Sequence, residues 1–327
     1  MKPLNGGIAA LLVLATCNGA EQEPSSANIE SSSQALGQPP ASEVATWKKV
    51  GGSTLPDGRY LQAVTFDETR KVAVMFGGLT YSLSTGMASA SQETWEWSPA
   101  TGDWTNRTAT GTRPAVRSGS AMVFDSQRNK ITLFGGRAGS GFNYQDTWEW
   151  DPSGGTWTDV TSSGGHPSGR SQHAMVYEKS TGKILLFGGG RSDSTSSDGT
   201  GISVSFGDTW EWDPGTHAWA QRQPTASPPA RHDFGLIWDS SRNKAVLFGG
   251  MEKDTAGIDG TPMQDTWEWD PTAGTWTERT TQGVKPSPRY AHSMAFAGGI
   301  NKAIVFGGWD ITTGLAINDL WEWDPTS

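Results

Sequence analysis

Five arginines and five acids recur along this chain in a fixed order: Arg59 with Glu93, Arg117 with Asp146, Arg170 with Asp208, Arg231 with Asp265, and Arg289 with Asp319. A guanidinium and a carboxylate can form two parallel charge-assisted hydrogen bonds. Such a set builds either a ring of structural ion pairs or an Arg-lined mouth that recognises acidic ligands. Each Arg comes with an acid of its own, which favours structural pairing. His173 and His292 stand three residues after their arginines, where other units carry Gln62, Ser120 and Phe234. Two imidazoles invite a metal or a general base, but no third His or accompanying Asp completes a metal set. A polar residue near a central channel is the plainer reading, and no metal or cofactor is expected. The acids of "EKDTAGIDG" (252–260) lack the alternating oxygen ligands of a calcium loop.

The elements that position these groups follow from the spacing. Each Arg precedes a Gly pair, starting at 77, 135, 188, 249 or 307, by 18 residues in all five units. The Trp-Glu-Trp motif, as in "DTWEWDP", is followed by a trailing Trp nine residues after its first: 95 to 104, 148 to 157, 210 to 219 and 267 to 276. Between the Gly pair and the acid lie 14, 9, 18, 14 and 10 residues. Fixed intervals mark paired structure, and the variable interval marks a loop. The Arg-to-Gly piece reads as a hairpin of strands a and b, with b almost wholly apolar ("ITLF", "ILLF") and so covered on both faces. The Trp piece reads as a second hairpin, strands c and d, turned by Asp-Pro and a following Gly. Strands a and c run the same way, which puts every Arg and every acid at one face.

Four antiparallel strands repeated at intervals of 53–61 residues describe a propeller blade. The unit resembles the kelch repeat, marked by a Gly pair after the second strand and aromatic residues downstream. Trp97, Trp150, Trp212, Trp269 and Trp323 fall near the Tyr of many kelch repeats. With the resemblance, the repeats imply an all-β propeller over residues 46–327, with five four-stranded antiparallel blades, fewer than the six or seven usual for the type. Trp47 lies 12 residues before Arg59, the interval that separates a trailing Trp from the next Arg. Residues 46–50 are therefore expected to supply strand d of the last blade and close the ring. Galactose-oxidase-like members of the type carry copper, but their cofactor needs a Cys joined to a Tyr. The propeller here has no Cys, because the single Cys is Cys17.

Cys17 follows a short apolar run in "MKPLNGGIAALLVLATC". The run is too short to span a bilayer and fits an export signal. "LATC" resembles the lipobox of bacterial lipoproteins, although Thr16 replaces the usual small residue. The alternative is a cleaved signal with an incidental Cys. Residues 1–17 are thus expected to be signal and lipobox, and 18–45, rich in Ser, Gln, Glu and Pro, a disordered tether. The expected location is a bacterial envelope, with attachment by lipid and not by a membrane span. A net charge of −9 with no basic stripe argues against nucleic acid.

Residues repeated in every unit read as architecture. The Trp pair of strand c is assigned to packing between blades, with a glycan platform as the alternative. Residues that differ between units are where recognition is expected, in the b–c and d–a loops of one face. Arg137, Tyr144, Arg191, Trp309 and Asp310 combine charge and aromaticity beside the Gly pairs, and Tyr60, His232 and Tyr290 join them from the d–a side. A solvated loop crown without function is the competing reading. The resemblance leaves three functions open: a monomeric module binding a protein or glycan, a periplasmic sugar-modifying enzyme such as a sialic-acid mutarotase, and a structural envelope protein. No constellation of residues selects an acid/base pair, and binding is preferred.

Overall fold

The computed structural model describes residues 54–82, 86–139, 141–191, 202, 204–253, 259–310 and 313–325. The expected signal, Cys17, the tether and Trp47 lie outside the described residues.

The described chain forms five successive antiparallel sheets in the order a-b-c-d, which we number as blades. Blade 1 comprises Ala63–Asp67, Val72–Phe76, Thr94–Trp97 and Trp104–Asn106. Blade 2 comprises Ala121–Asp125, Lys130–Phe134, Thr147–Asp151 and Thr156–Asp159. Blade 3 comprises Ala174–Glu178, Lys183–Phe187, Thr209–Asp213 and Ala218–Arg222. Blade 4 comprises Gly235–Asp239, Lys244–Phe248, Thr266–Asp270 and Thr275–Glu278. Blade 5 has three described strands, Ser293–Ala297, Lys302–Phe306 and Leu320–Trp323. Successive a strands lie against one another, and residues of all five line one central cavity. This is the expected all-β propeller.

One register serves every blade. The Phe that ends strand b faces the first residue of strand a (Ala63, Ala121, Ala174, Gly235, Ser293). The second Trp of strand c faces the trailing Trp of strand d in blades 1 to 4. Strand b is buried on both faces: Ile131, Leu133 and Phe134 are fully buried, as are Ile184, Leu185, Leu186 and Phe187. Trp150, Trp212 and Trp269 are also fully buried, and each ring leans on the trailing Trp of its own blade at 5.2–5.5 Å. Apolar strands with large rings between sheets let the blades stack without helices.

The a–b turns are set by an acid at the end of strand a. Asp125 Oδ1 accepts the N–H groups of Gln127 and Arg128, and Asp67 and Asp239 do the same for their turns. Such self-bonding turns are a known use of Asp. The Gly pair has a different cause. The N–H of the second Gly reaches the carbonyl of the next blade's Arg, Gly136 to Arg170 at 2.8 Å for example. Gly135 adopts φ +65°, and a Cβ there would sit 2.7 Å from that same carbonyl oxygen. Only glycine lets neighbouring blades come this close.

Candidate functional site

The repeated charges build a clamp at the upper face, where strands a and c begin. Arg117, Arg170, Arg231 and Arg289 are fully buried, and each grips both oxygens of its acid. The distances are 2.6 and 2.7 Å to Asp146, 2.6 and 2.8 Å to Asp208, 2.7 Å twice to Asp265, and 2.5 and 2.8 Å to Asp319. Arg59 makes a single 2.6 Å contact with Glu93. Each guanidinium also donates to the carbonyl of its own first Gly and, through Nε, to a carbonyl two residues back. The first Trp of each motif adds its indole N–H to the same carboxylate, at 2.6–3.1 Å. Burial pushes the Asp208 and Asp265 carboxyls up, but bonds from Arg170 and Arg231 more than offset it and hold both below the usual range. Glu93 is lowered by the same balance with Arg59, and Asp319 chiefly by its bond from Arg289. The donors of these arginines are thus engaged inside the blades.

The clamp gives each b–c loop a fixed base. The second Gly's carbonyl accepts an N–H from Ser91, Tyr144, Phe206, Met263 or Ile317, and the carbonyls of the first four of these accept the next blade's Arg N–H. From these bases rise two-stranded flaps, Leu79–Ser82 with Met87–Ala90, Gly190–Arg191 with Val204–Ser205, Met251–Lys253 with Asp259–Pro262, and Trp309–Asp310 with Leu315–Ala316.

All eight recognition candidates stand on this upper face, in local groups. Tyr290 and Trp309 are joined by a backbone bridge, with Asp310 next in the flap. Tyr60 pairs with Leu79 at the foot of the first flap. Arg137 is bridged to Ser118 and only 3% exposed. The Tyr144 ring lies 3.9 Å under the Arg117 guanidinium, as Phe206 lies under Arg170 at 4.3 Å. His232 is 3% exposed; its Nδ1 is 2.9 Å from Ser205 Oγ, which also accepts the Lys253 N–H. Arg191 is exposed on its flap. Arg137, Tyr144 and His232 thus face inward more than their loop positions suggested.

Other loop residues present more surface. Tyr81, Met87, Phe142 and Leu315 are 56%, 66%, 61% and 65% exposed, all on b–c loops, and Leu55, Val116 and Val284 stand exposed on the segments leading to an Arg. These seven are most of the nine large apolar side chains exposed among the described residues; the others are Ile300 and Leu320. Each of the seven is an apolar residue in a variable segment, outside the repeat register.

At the axis, Leu61, Gly119, Gln172, Asp233 and Ala291 all adopt positive φ, from 53° to 65°. They form a chain of bonds around the mouth, in which each N–H from Gly119 onward donates to the carbonyl of the preceding blade's residue. Asp233 accepts Gln172 Nε2 at 3.1 Å, and His232 Nε2 lies 4.0 Å away. Burial pushes its carboxyl up to about 7. The side chain keeps about 20% of its surface exposed.

Below the mouth lies a cavity of about 900 Å³. Its wall is mostly apolar, with Val123, Val176, Ile237 and Phe66, and its charged members Glu68, Lys71 and Lys179 sit on the lower a–b turns. Lys179 reaches across to Glu68 at 2.9 Å. His173 and His292 sit between blades, edge-on to Phe134 and Phe248 at 5.5 and 5.4 Å. Burial, with Arg170 and Arg289 adding, drives them down to about 3 and about 4, so both are neutral. No group of three His, Cys, Asp or Glu side chains able to hold a metal occurs among the described residues.

Comparison with known proteins agrees with this architecture. Human host cell factor 2 is 26% identical over 282 residues, 82% of this chain and 33% of its own. The mouse Rab9 effector protein with kelch motifs is 27% identical over 216 residues, 64% of this chain and 52% of its own. The chain thus spans a third to about half the length of these relatives. The solved structure of YjhT aligns with a TM-score of 0.61 at 16% identity, over 80% of both chains, and shares the fold. The model of the Attractin/LZTR1 beta-propeller matches residues 41–257. With two thirds of its length matched and its blades built on kelch-type repeats, the chain belongs to the Attractin/LZTR1 beta-propeller family.

Proposed function

We propose that this protein is a non-enzymatic binding module that docks a protein partner on its upper, loop-bearing face. It is exported and held at a bacterial envelope by lipid on Cys17. The observation that carries the reading is the concentration of exposed large apolar side chains on that face, seven of the nine among the described residues. Apolar side chains raised on a polar rim mark contact surfaces for proteins. Arg191, Trp309, Asp310, Tyr60 and Tyr290 supply charged and aromatic neighbours. Relatives named as a Rab9 effector and as host cell factors fit a scaffold used for contacts with other proteins.

The alternative is a sugar-modifying enzyme such as a sialic-acid mutarotase. It would need an acid/base pair inside the channel. The charged residues lining the cavity are confined to the lower turns, and the two nearby histidines are buried between blades. Both features favour binding.

The test has two arms. Replacing Tyr81, Met87, Phe142 and Leu315 together with Ser should abolish co-purification of a stoichiometric partner from native membranes and leave the melting temperature unchanged. The wild-type protein should leave sialic-acid anomer exchange, followed by NMR, at its uncatalysed rate. Partner retention by the variant, or catalysed exchange, would overturn the proposal.

A further inference from the structure

Acids inside this protein come with partners. Eight Asp and Glu side chains are buried among the described residues, and seven of them have an Arg or Lys at no more than 3.7 Å. The eighth, Glu178, takes the indole N–H of Trp269 at 2.8 Å and the hydroxyl of Thr181 at 2.6 Å. Asp233, in the chain of bonds around the axial mouth, has less. Its Oδ2 accepts Gln172 Nε2 at 3.1 Å, while its Oδ1 accepts no hydrogen bond from the described residues. No Lys or Arg among them pairs with it. The groups that face it are few. Blade 3 brings Gln172 and blade 5 brings Ala291, both uncharged, and its own segment brings His232, with Nε2 at 4.0 Å. The carboxyl is still reachable, with about 20% of the side chain exposed, and burial alone pushes it up to about 7. An acid here costs stability at neutral pH, although Asn would suit the φ of 54° equally well. A residue that costs stability where a neutral analogue fits marks a functional position.

We propose that the axial mouth binds a primary ammonium group on the free oxygen of Asp233, with Gln172 fixing the carboxylate. The geometry selects among cations. A guanidinium seeks both oxygens of a carboxylate, as the clamp arginines do, and here Oδ2 is already engaged. A divalent metal needs several further ligands, and no group of three His, Cys, Asp or Glu side chains able to hold one occurs among the described residues. An ammonium is a compact point charge that a single oxygen can hold. It can belong to a free aliphatic amine or to a Lys side chain of a docked protein. The cation binds the ionised carboxyl, so binding below pH 7 releases the Asp233 proton to solvent. The site is separate from the exposed apolar side chains of the proposed contact face.

The test is calorimetric titration of the purified full-length protein, at fixed ionic strength, with n-butylammonium and with Nα-acetyl-lysine methylamide. Both probes keep their charge at pH 8.5. Saturable one-site binding is expected at pH 8.5, weakening about tenfold at pH 6, where roughly a tenth of the carboxyls are ionised. Asp233→Asn should abolish it without loss of fold, and n-butylguanidinium should bind more weakly than n-butylammonium. In His232→Gln the pH dependence should persist. Binding of n-butylammonium alone would uphold the site as one for a free amine, and binding of the lysine probe alone as one for a protein side chain. The proposal would be overturned by no saturable binding of either probe, by binding retained in Asp233→Asn, or by equal affinity at both pH values. Tighter binding of the guanidinium, or a pH dependence lost in His232→Gln, would overturn it as well.

Discussion

The guanidinium of Arg170 holds both oxygens of Asp208 at 2.6 and 2.8 Å, while the carbonyl of the same arginine accepts the N–H of Gly136 from the preceding blade at 2.8 Å. One residue thereby ties strand a to strand c within a blade and fastens that blade to its neighbour. Both ties recur at the four described junctions between successive blades.

Removing this arginine strands a carboxylate that is only 23% exposed. Arg170→Ala is expected to cost about 3–5 kcal/mol, the range for breaking a buried pair by deleting one partner. Urea unfolding monitored by Trp fluorescence reads the loss. The pH dependence follows from the lowered carboxyls. Asp208, Asp265, Asp319 and Glu93 titrate lower in the fold than unfolded. Their contribution is complete above an unfolded value of about 4 and is lost as pH falls below it. Asp208→Asn should flatten the acid limb of the stability profile. An unchanged limb would place acid sensitivity elsewhere.

Asp233 has the opposite sign. Its carboxyl, raised to about 7 by burial, stays protonated in the fold while the unfolded group ionises near 3.8. Stability is therefore lost as pH rises from about 4 to 7, and the cost is complete above that window. Asp233→Asn keeps a side chain suited to its φ of 54° and removes the ionisation. A gain of about 2–4 kcal/mol at pH 8 and none at pH 4 is expected. Equal effects at both pH values would exclude an ionisation origin.

His173 invites replacement by its own structural equivalent. It meets Phe134 edge-on at 5.5 Å and 77°, as Phe234 meets Phe187 at 5.7 Å and 76° one junction later. Neither ring nitrogen of His173 makes a well-formed hydrogen bond. His173→Phe should stabilise the protein by about 1–2 kcal/mol at neutral pH, because a buried polar group without a good partner is removed. The gain should grow below pH 6.5, where the unfolded imidazole takes a proton and the folded one, lowered to about 3, does not. Calorimetry at pH 7 and pH 5 measures both. Destabilisation would show that the imidazole has an acceptor that matters.

The blades were legible in the sequence because a hairpin fixes the distance between its ends. The 18-residue step from Arg to Gly is the length of an a–b hairpin plus the reach of the Arg side chain to the Gly carbonyl, realised at 2.9 Å by Arg117 and Gly135. The loop face was legible from strand direction, but its exposed side chains were not. Charge and aromaticity pointed to Arg137, Tyr144 and His232. Yet Arg137 is drawn in by a bridge to Ser118 of its own blade, His232 by a bridge to Met251 and by Ser205 of the neighbouring blade, and Tyr144 by the cation it covers. Those contacts join separate segments of the chain, and no local pattern encodes them. Phe142 and Leu315 went unmarked because an apolar residue in an irregular loop has no repeat position against which its burial can be judged.

The use of the upper face is tested most directly by photo-crosslinking in intact cells of the native host, with a benzophenone amino acid placed singly at four positions. Phe142 and Leu315 lie on the upper loops, and Ser180 and Ser240 on the lower a–b turns. The expected result is one discrete protein adduct from 142 or 315 and none from 180 or 240. Adducts from the lower turns alone, from both faces equally, or from no position would contradict a partner-binding upper face.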